Sequence, residues 1–109
     1  MKGIGIDIVN VKNLSAKVAD KILSSKELAE FNSYLKDNKT RAMEFLAGRL
    51  AGKEAYLKAI GVSTYEGISL PDISIYKNVH GEPKFRGAPK AHLSISHDAG
   101  LAVAIVVIE

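Results

Sequence analysis

No cysteine occurs among the 109 residues, which excludes disulfides and thiolate metal sites. Tryptophan is absent and aromatic residues make up only 6% of the chain, so a base-stacking surface for RNA has little to draw on. The longest apolar run, LAVAIVVI at 101–108, falls far short of the roughly twenty residues a membrane-spanning helix needs. The opening MKGIGIDIVN lacks the apolar length and cleavage pattern of a signal peptide. These absences predict a cytoplasmic protein with no membrane contact. Glycine-rich phosphate loops, zinc-ligand spacings, nucleophile elbows, repeats and linkers are also missing.

What is present fits one domain spanning 1–109: the chain is 47% hydrophobic, enough for one core and too short to expect two. A net charge of +3 and a pI near 9.2 favour anionic partners. The basic excess gathers in 36–58, where six basic residues (Lys36, Lys39, Arg41, Arg49, Lys53, Lys58) face three acidic ones (Asp37, Glu44, Glu54). On charge alone, a solvated helix face accounts for this equally well.

Residues 2–9 alternate Ile4, Ile6 and Ile8 with Gly3, Gly5, Asp7 and Val9, the period of a strand. Residues 14–23 predict a short helix capped by Ser15. A second spans 24–35, with Ser24 and Glu27 placed as a capping box. From about Thr40 to Ile60 runs the principal helix, capped by Asn38 or Thr40 and ended by Gly61. ISLPDISIYKNV (68–79) turns through Gly81 and Pro83 into a hairpin, with 86–91 and His80 as loop. Residues 92–97 and 101–108 read as two strands joined by a tight turn at Asp98 to Gly100. Because both alternating sets of the last strand are apolar, it should be central and covered on both faces. The layout is α+β, a mostly antiparallel sheet wrapped around one long helix with short additional helices.

Within FLAGRLAGKEAYLKA (45–59), about 100° per residue aligns Met43, Ala47, Leu50, Glu54, Leu57 and Gly61 on one stripe. Glu54 thus points with apolar residues, and a buried ionised carboxylate needs a partner. An exposed salt bridge to Lys58, contributing about 0.3–0.5 kcal/mol, is the plain alternative to a functional role. Asp7 is a second misplaced acid, beside glycines that leave room for a close approach; an edge-strand aspartate facing water is its plain alternative. Two carboxylates suffice for magnesium, which completes its octahedron with water and substrate phosphates. Gly48, Gly52, Ala55 and Ala59 form a small-residue side, predicting close approach of another backbone, from the sheet or a second subunit. In HLSISH, His92, Ser94 and Ser96 share one face, and His92 is either structural or a phosphate or proton partner.

GIDIV near the start, FLAGRLAGKEAYLKA in the middle and HLSISHD before an apolar last strand resemble, in order and spacing, the holo-acyl-carrier-protein synthases. These are small phosphopantetheinyl transferases, and the resemblance covers nearly the whole chain. It implies that Asp7 and Glu54 hold magnesium, with manganese as a substitute, beside the diphosphate of coenzyme A. It further implies that Asp7, Glu54 and Lys58 form the catalytic set. Arg41, Arg49, Lys58, Pro83 and His92 match coenzyme A contacts, with Lys58 near the reacting phosphate. The implied partner is acyl carrier protein, the implied assembly a homotrimer with sites between subunits, and the implied role fatty acid or lipid biosynthesis. Asn10 and Asn13 depart from the acid and arginine of many relatives, and the arginine grips the carrier there; Lys12 or Lys17 are candidate substitutes. The proton acceptor stays open between a metal-bound water and Glu54, with His92 behind them. A non-enzymatic RNA- or acidic-protein-binding domain is the rival reading. It predicts steeply salt-dependent binding without magnesium, but only Phe45 and Tyr56 supply aromatics on the basic helix.

Overall fold

The structure is a computed structural model that describes residues 1–61 and 67–109. Strand β1 (Gly3–Asn10) leads into two short 3-10 turns, Val11–Asn13 and Ala16–Val18, and a single helical turn, α1 (Ala19–Ile22). The helix expected over 14–23 is thus mostly 3-10, and Ser15 caps the second turn by accepting from the Lys17 amide. Helix α2 (Ser25–Asp37) carries the expected capping box: Ser24 accepts from Glu27 N, and Glu27 Oε1 accepts from Ser24 N at 2.8 Å. Of the two candidate caps for the long helix α3 (Lys39–Ile60), Asn38 does the work, accepting from Arg41 N at 3.1 Å. Gly61 ends α3 with φ near 103°, a conformation that glycine adopts without strain.

A hairpin of two three-residue strands follows, β2 (Ile75–Lys77) and β3 (Pro83–Phe85), preceded by a 3-10 turn at Leu70–Asp72. It forms its own sheet. The main sheet adds β4 (Ala91–Asp98) and β5 (Leu101–Ile108) in the order β1-β5-β4, all antiparallel. The α+β layout with the long helix laid on an antiparallel sheet agrees with the sequence reading, and β5 is central. Among the described residues, no helix is long and apolar enough to cross a membrane.

The sheet meets α3 through small residues. Ala47, Ala51 and Ala55 of α3 lie against Ala102, Ala104 and Val106 of β5, all fully buried. On its other flank, α3 buries Ala42 and Leu46 with Ile22, Leu23 and Phe31. Glycine lets β1 come closer still: a Cβ at Gly3 or Gly5 would overlap the carbonyl oxygen of Ala59 or Ala55. The backbone approach expected at Gly48 and Gly52 therefore occurs at Ala55 and Ala59. Gly48 and Gly52 instead admit side chains, His97 and Ile95 at the first, Ile75 and Leu93 at the second.

Within the single chain, only one face of β5 is covered. With glycine, Asp7 and Val9 turned to α3, the alternation sends Ile4, Ile6 and Ile8 outward, 54%, 58% and 59% exposed, beside Ile105 at 39%. The outer face of this sheet is apolar along β1 and β5 and carries His92, Ser94 and Ser96 along β4.

Candidate active site

Two clusters flank α3. The first joins β1 to the last turns of the helix. Asp7 faces α3, and Lys58 reaches back across the gap, donating to Asp7 Oδ1 at 3.1 Å and to the Ile6 carbonyl at 2.9 Å. Lys58 therefore pairs with Asp7 rather than with Glu54, its neighbour one turn earlier. An ammonium has three N–H donors, so one is left for a ligand.

Glu54 is half-buried and, among the described residues, has no salt bridge. Its carboxyl is held above the usual carboxylate range, first by burial, then by the charge of Asp7, with Lys58 pulling the other way. Two carboxylates set this near each other, with the Ile6 carbonyl beside Asp7, are a donor set suited to a hard divalent cation. Among the described residues no group of three or more His, Asp and Glu side chains converges as a ready-made metal cage, so such an ion would draw its remaining ligands from water and substrate.

The second cluster is a cleft of about 440 Å³ on the opposite flank, lined by Arg41, Arg49, Lys77, Pro83 and His97 with Tyr34 and Phe45. That volume lies within the range of small-ligand pockets. Its cations are held by aromatic rings: Arg41 lies 4.5 Å over Tyr34, Arg49 lies 4.4 Å over Phe45, and the two rings meet edge-on at 5.3 Å. Tyr34 is itself fixed by donating to Glu30 at 2.6 Å.

Arg49 is the unusual member. It is 5% exposed, yet its Nε and Nη2 make no hydrogen bond. Burial pushes its ionisation down, while Glu30 and Glu27 oppose that shift; a guanidinium keeps its charge in proteins regardless. Buried donors left unmade cost about 1–3 kcal/mol; Nε lies on the Glu27 side, 3.9 Å from Oε2, while the Arg49 side chain lines the cleft.

Of the residues expected to contact coenzyme A, the structure gathers Arg41, Arg49 and Pro83 in the cleft and places Lys58 with Asp7 and Glu54. His92 joins neither. It points to the outer face of the sheet, where it lies 3.2 Å from Glu109, because strand alternation turns it opposite to Leu93, Ile95 and His97. The histidine in the cleft is His97, whose Nε2 lies 3.0 Å from the Glu44 carbonyl. Its signal in the sequence was its own alternation with Leu93 and Ile95, the buried face of β4. Lys53, counted in the sequence among the basic excess of 36–58, is not on a solvated face but fully buried on Glu27 at 2.5 Å.

Within one chain the two clusters do not meet. Lys58 follows Arg49 by nine residues, so the two side chains leave α3 half a turn out of phase, about 180° apart. The carboxylate cluster borders the exposed isoleucines: Lys58, Gly5, Ile4, Ile6 and Ile105 line one shallow depression.

Comparison with known proteins places the chain in a family. Residues 3–106 match the family model for ACPS, the 4'-phosphopantetheinyl transferase superfamily. A holo-[acyl-carrier-protein] synthase of Geobacillus kaustophilus is 43% identical over 116 aligned positions, covering 98% of this chain and 88% of the relative. One from Staphylococcus saprophyticus is 39% identical, covering 98% of this chain and 97% of the relative. The crystal structure of a holo-(acyl-carrier-protein) synthase from Bacillus anthracis, in complex with CoA (3',5'-ADP), superposes with a TM-score of 0.87 at 36% identity, covering 99% of this chain and 96% of the other. With the fold, the length and the order of its motifs all matched, the chain belongs to the holo-[acyl-carrier-protein] synthase family of 4'-phosphopantetheinyl transferases.

Proposed function

We propose that this chain transfers the 4'-phosphopantetheine group of coenzyme A to a serine hydroxyl of apo-acyl carrier protein, releasing adenosine 3',5'-bisphosphate. The observation that carries the reading is Arg49, buried in a cationic cleft with two donors unpaired, in a chain whose relative from Bacillus anthracis was solved with CoA (3',5'-ADP). Arg41, Arg49 and Lys77 neutralise phosphate charge, and Pro83 with the aromatic wall bounds the cleft. Within one chain the histidine that lines the cleft is His97, while His92 stands on the outer sheet face where a neighbouring subunit would sit.

Asp7 and Glu54 are the residues that would hold magnesium, or manganese in its place. Such an ion, when bound, neutralises and polarises the diphosphate of the substrate. Lys58, anchored by Asp7 and the Ile6 carbonyl, directs its remaining N–H to a phosphate oxygen of the bond that breaks. Phosphoryl transfer asks a protein mainly for positioning and charge neutralisation, and these side chains supply both.

Because the cleft and the carboxylates lie on opposite flanks of α3, the complete site is assembled between copies, in a homotrimer. The apolar outer face of β1 and β5 supports this, since it adjoins Lys58 and would seat a neighbouring subunit whose cleft then faces Asp7 and Glu54. Acyl carrier protein is the second substrate, the setting is the cytoplasm, and the product serves fatty acid or lipid synthesis.

The test is mass spectrometry of an apo-acyl carrier protein incubated with this protein and coenzyme A. The expected result is a gain of about 340 Da, seen with magnesium and abolished by chelator. An unmodified carrier in every condition, with folded enzyme, overturns the proposal.

A further inference from the structure

Glu27 is 2% exposed, sits in the first turn of α2, and takes no part in the transfer chemistry above. Its two oxygens meet four groups from three separate elements. Oε1 accepts from Ser24 N at 2.8 Å and from Lys53 Nζ at 2.5 Å; Oε2 accepts from Ile75 N at 3.0 Å and lies 3.9 Å from Arg49 Nε. Lys53 is tied further, donating to the Ile22 carbonyl at 2.6 Å. A second strap joins the same places, since Ser24 Oγ and Ser74 Oγ are 2.9 Å apart.

Arg49 and Lys53 are four residues apart, so they stack one turn above the other on a single face of α3. Two buried cations therefore share one carboxylate, and they share it unequally. Lys53 takes the short hydrogen bond, whereas Arg49 is held only by charge at longer range. A carboxylate that gripped the guanidinium directly would consume its fork of donors. With Oε1 taken by Lys53 and Oε2 by the Ile75 amide, Glu27 adds to Glu30 in offsetting the desolvation of Arg49 while making no hydrogen bond to its Nε or Nη2. The bond to Ile75 N fixes the start of β2, two residues before Lys77, which pairs with Pro83 beside the turn at the cleft.

We propose that Glu27 is a positioning residue for the cleft: through Lys53, Arg49 and the Ile75 amide, its carboxylate sets the guanidinium and the β2–β3 wall at the spacing a substrate phosphate requires. This rests on the reading of the cleft as the coenzyme A site.

Three variants test it, with coenzyme A binding measured by calorimetry and steady-state transfer measured alongside. Glu27→Gln keeps the shape and removes the charge; its KM and Kd for coenzyme A should rise at least tenfold while kcat at saturating coenzyme A stays within about threefold. Should that variant fold poorly, the pair Glu27→Leu with Lys53→Met replaces a buried ion pair by apolar groups, an exchange that commonly restores stability. Its thermal midpoint should match or exceed that of the parent while coenzyme A binding remains at least tenfold weaker. Arg49→Ala separates the two levels of inference. If Arg49→Ala leaves coenzyme A binding unchanged, the cleft reading itself fails. If Arg49→Ala weakens binding but the stable double variant binds like the parent, Glu27 only supports the fold and the positioning role is overturned. A fall in kcat at unchanged KM in Glu27→Gln overturns it as well.

Discussion

Gly5 of β1 lies so close to Ala55 of α3 that a Cβ on the glycine would overlap the alanine carbonyl oxygen and come within 2.8 Å of Ala59 N. The obstacle is backbone on both sides, which cannot rotate away as a side chain can. Gly5→Ala should therefore lift β1 off the helix and destabilise the fold by about 1–3 kcal/mol. Chemical denaturation measures this as a lower midpoint at unchanged slope. Activity should fall too, because Asp7 sits two residues along the displaced strand. A variant within about 0.5 kcal/mol of the parent contradicts the close approach.

The same contact explains what the sequence made legible and what it did not. The capping box at Ser24 and Glu27, the Asn38 cap and the central place of β5 depend on neighbours within a few residues or on simple alternation, and each is visible in the chain. The inside face of β1 is not, because three isoleucines look more like core than two glycines and an aspartate. It is the helix backbone, wanting a partner without Cβ, that turns the isoleucines outward. His92 and His97 pose the same problem: alternation says they oppose each other, and only the position of α3 decides which one faces the cleft. Lys53 reads as surface because its partner, Glu27, lies 26 residues away. Glu54 was legible as an inward-leaning acid, and its neighbour Asp7 as another, but their shared space depends on β1 lying flat against the helix.

Removing the buried guanidinium should separate stability from binding. Arg49→Met fills the space over Phe45 with a flexible apolar side chain and deletes donors that make no hydrogen bond in the free protein. The free protein should be as stable as the parent or more so by about 1 kcal/mol. Coenzyme A should bind at least tenfold more weakly, a loss of about 1.4 kcal/mol. Calorimetric binding together with thermal unfolding reads both quantities. Unchanged binding would remove Arg49 from the site.

Glu54 carries a sign that can be checked against pH. A carboxyl whose folded-state ionisation is shifted upward favours the native state below its unfolded value, and that contribution is lost as pH rises through the folded value. At neutral pH and without metal, the ionised Glu54 beside Asp7 is therefore a liability, and Glu54→Gln should unfold at the same temperature or higher. The difference should shrink as pH falls into the carboxylate range. Magnesium should raise the midpoint of the parent and leave that of the variant nearly unmoved, and transfer activity should drop at least a hundredfold, about 2.7 kcal/mol of transition-state stabilisation. Equal stabilisation of both proteins by magnesium rules out Glu54 as a ligand.

The outer face of the sheet gives the last prediction. Ile6 is 58% exposed in the single chain, so exchanging it for aspartate disturbs no internal packing, and the monomer's fold should survive. At an interface the outcome differs, because a carboxylate repeated in each copy around a closed ring must be desolvated beside its like. Ile6→Asp should dissociate the assembly to monomers, measured by light scattering on a sizing column, with helical circular dichroism retained. Activity should fall with the assembly, since Arg49 and Lys58 leave α3 on opposite flanks and no single chain brings the cleft to the carboxylates. Partial recovery of activity at high protein concentration would mark the loss as one of association. An Ile6→Asp monomer with full activity at low concentration would place both halves of the chemistry in one chain and overturn the shared site.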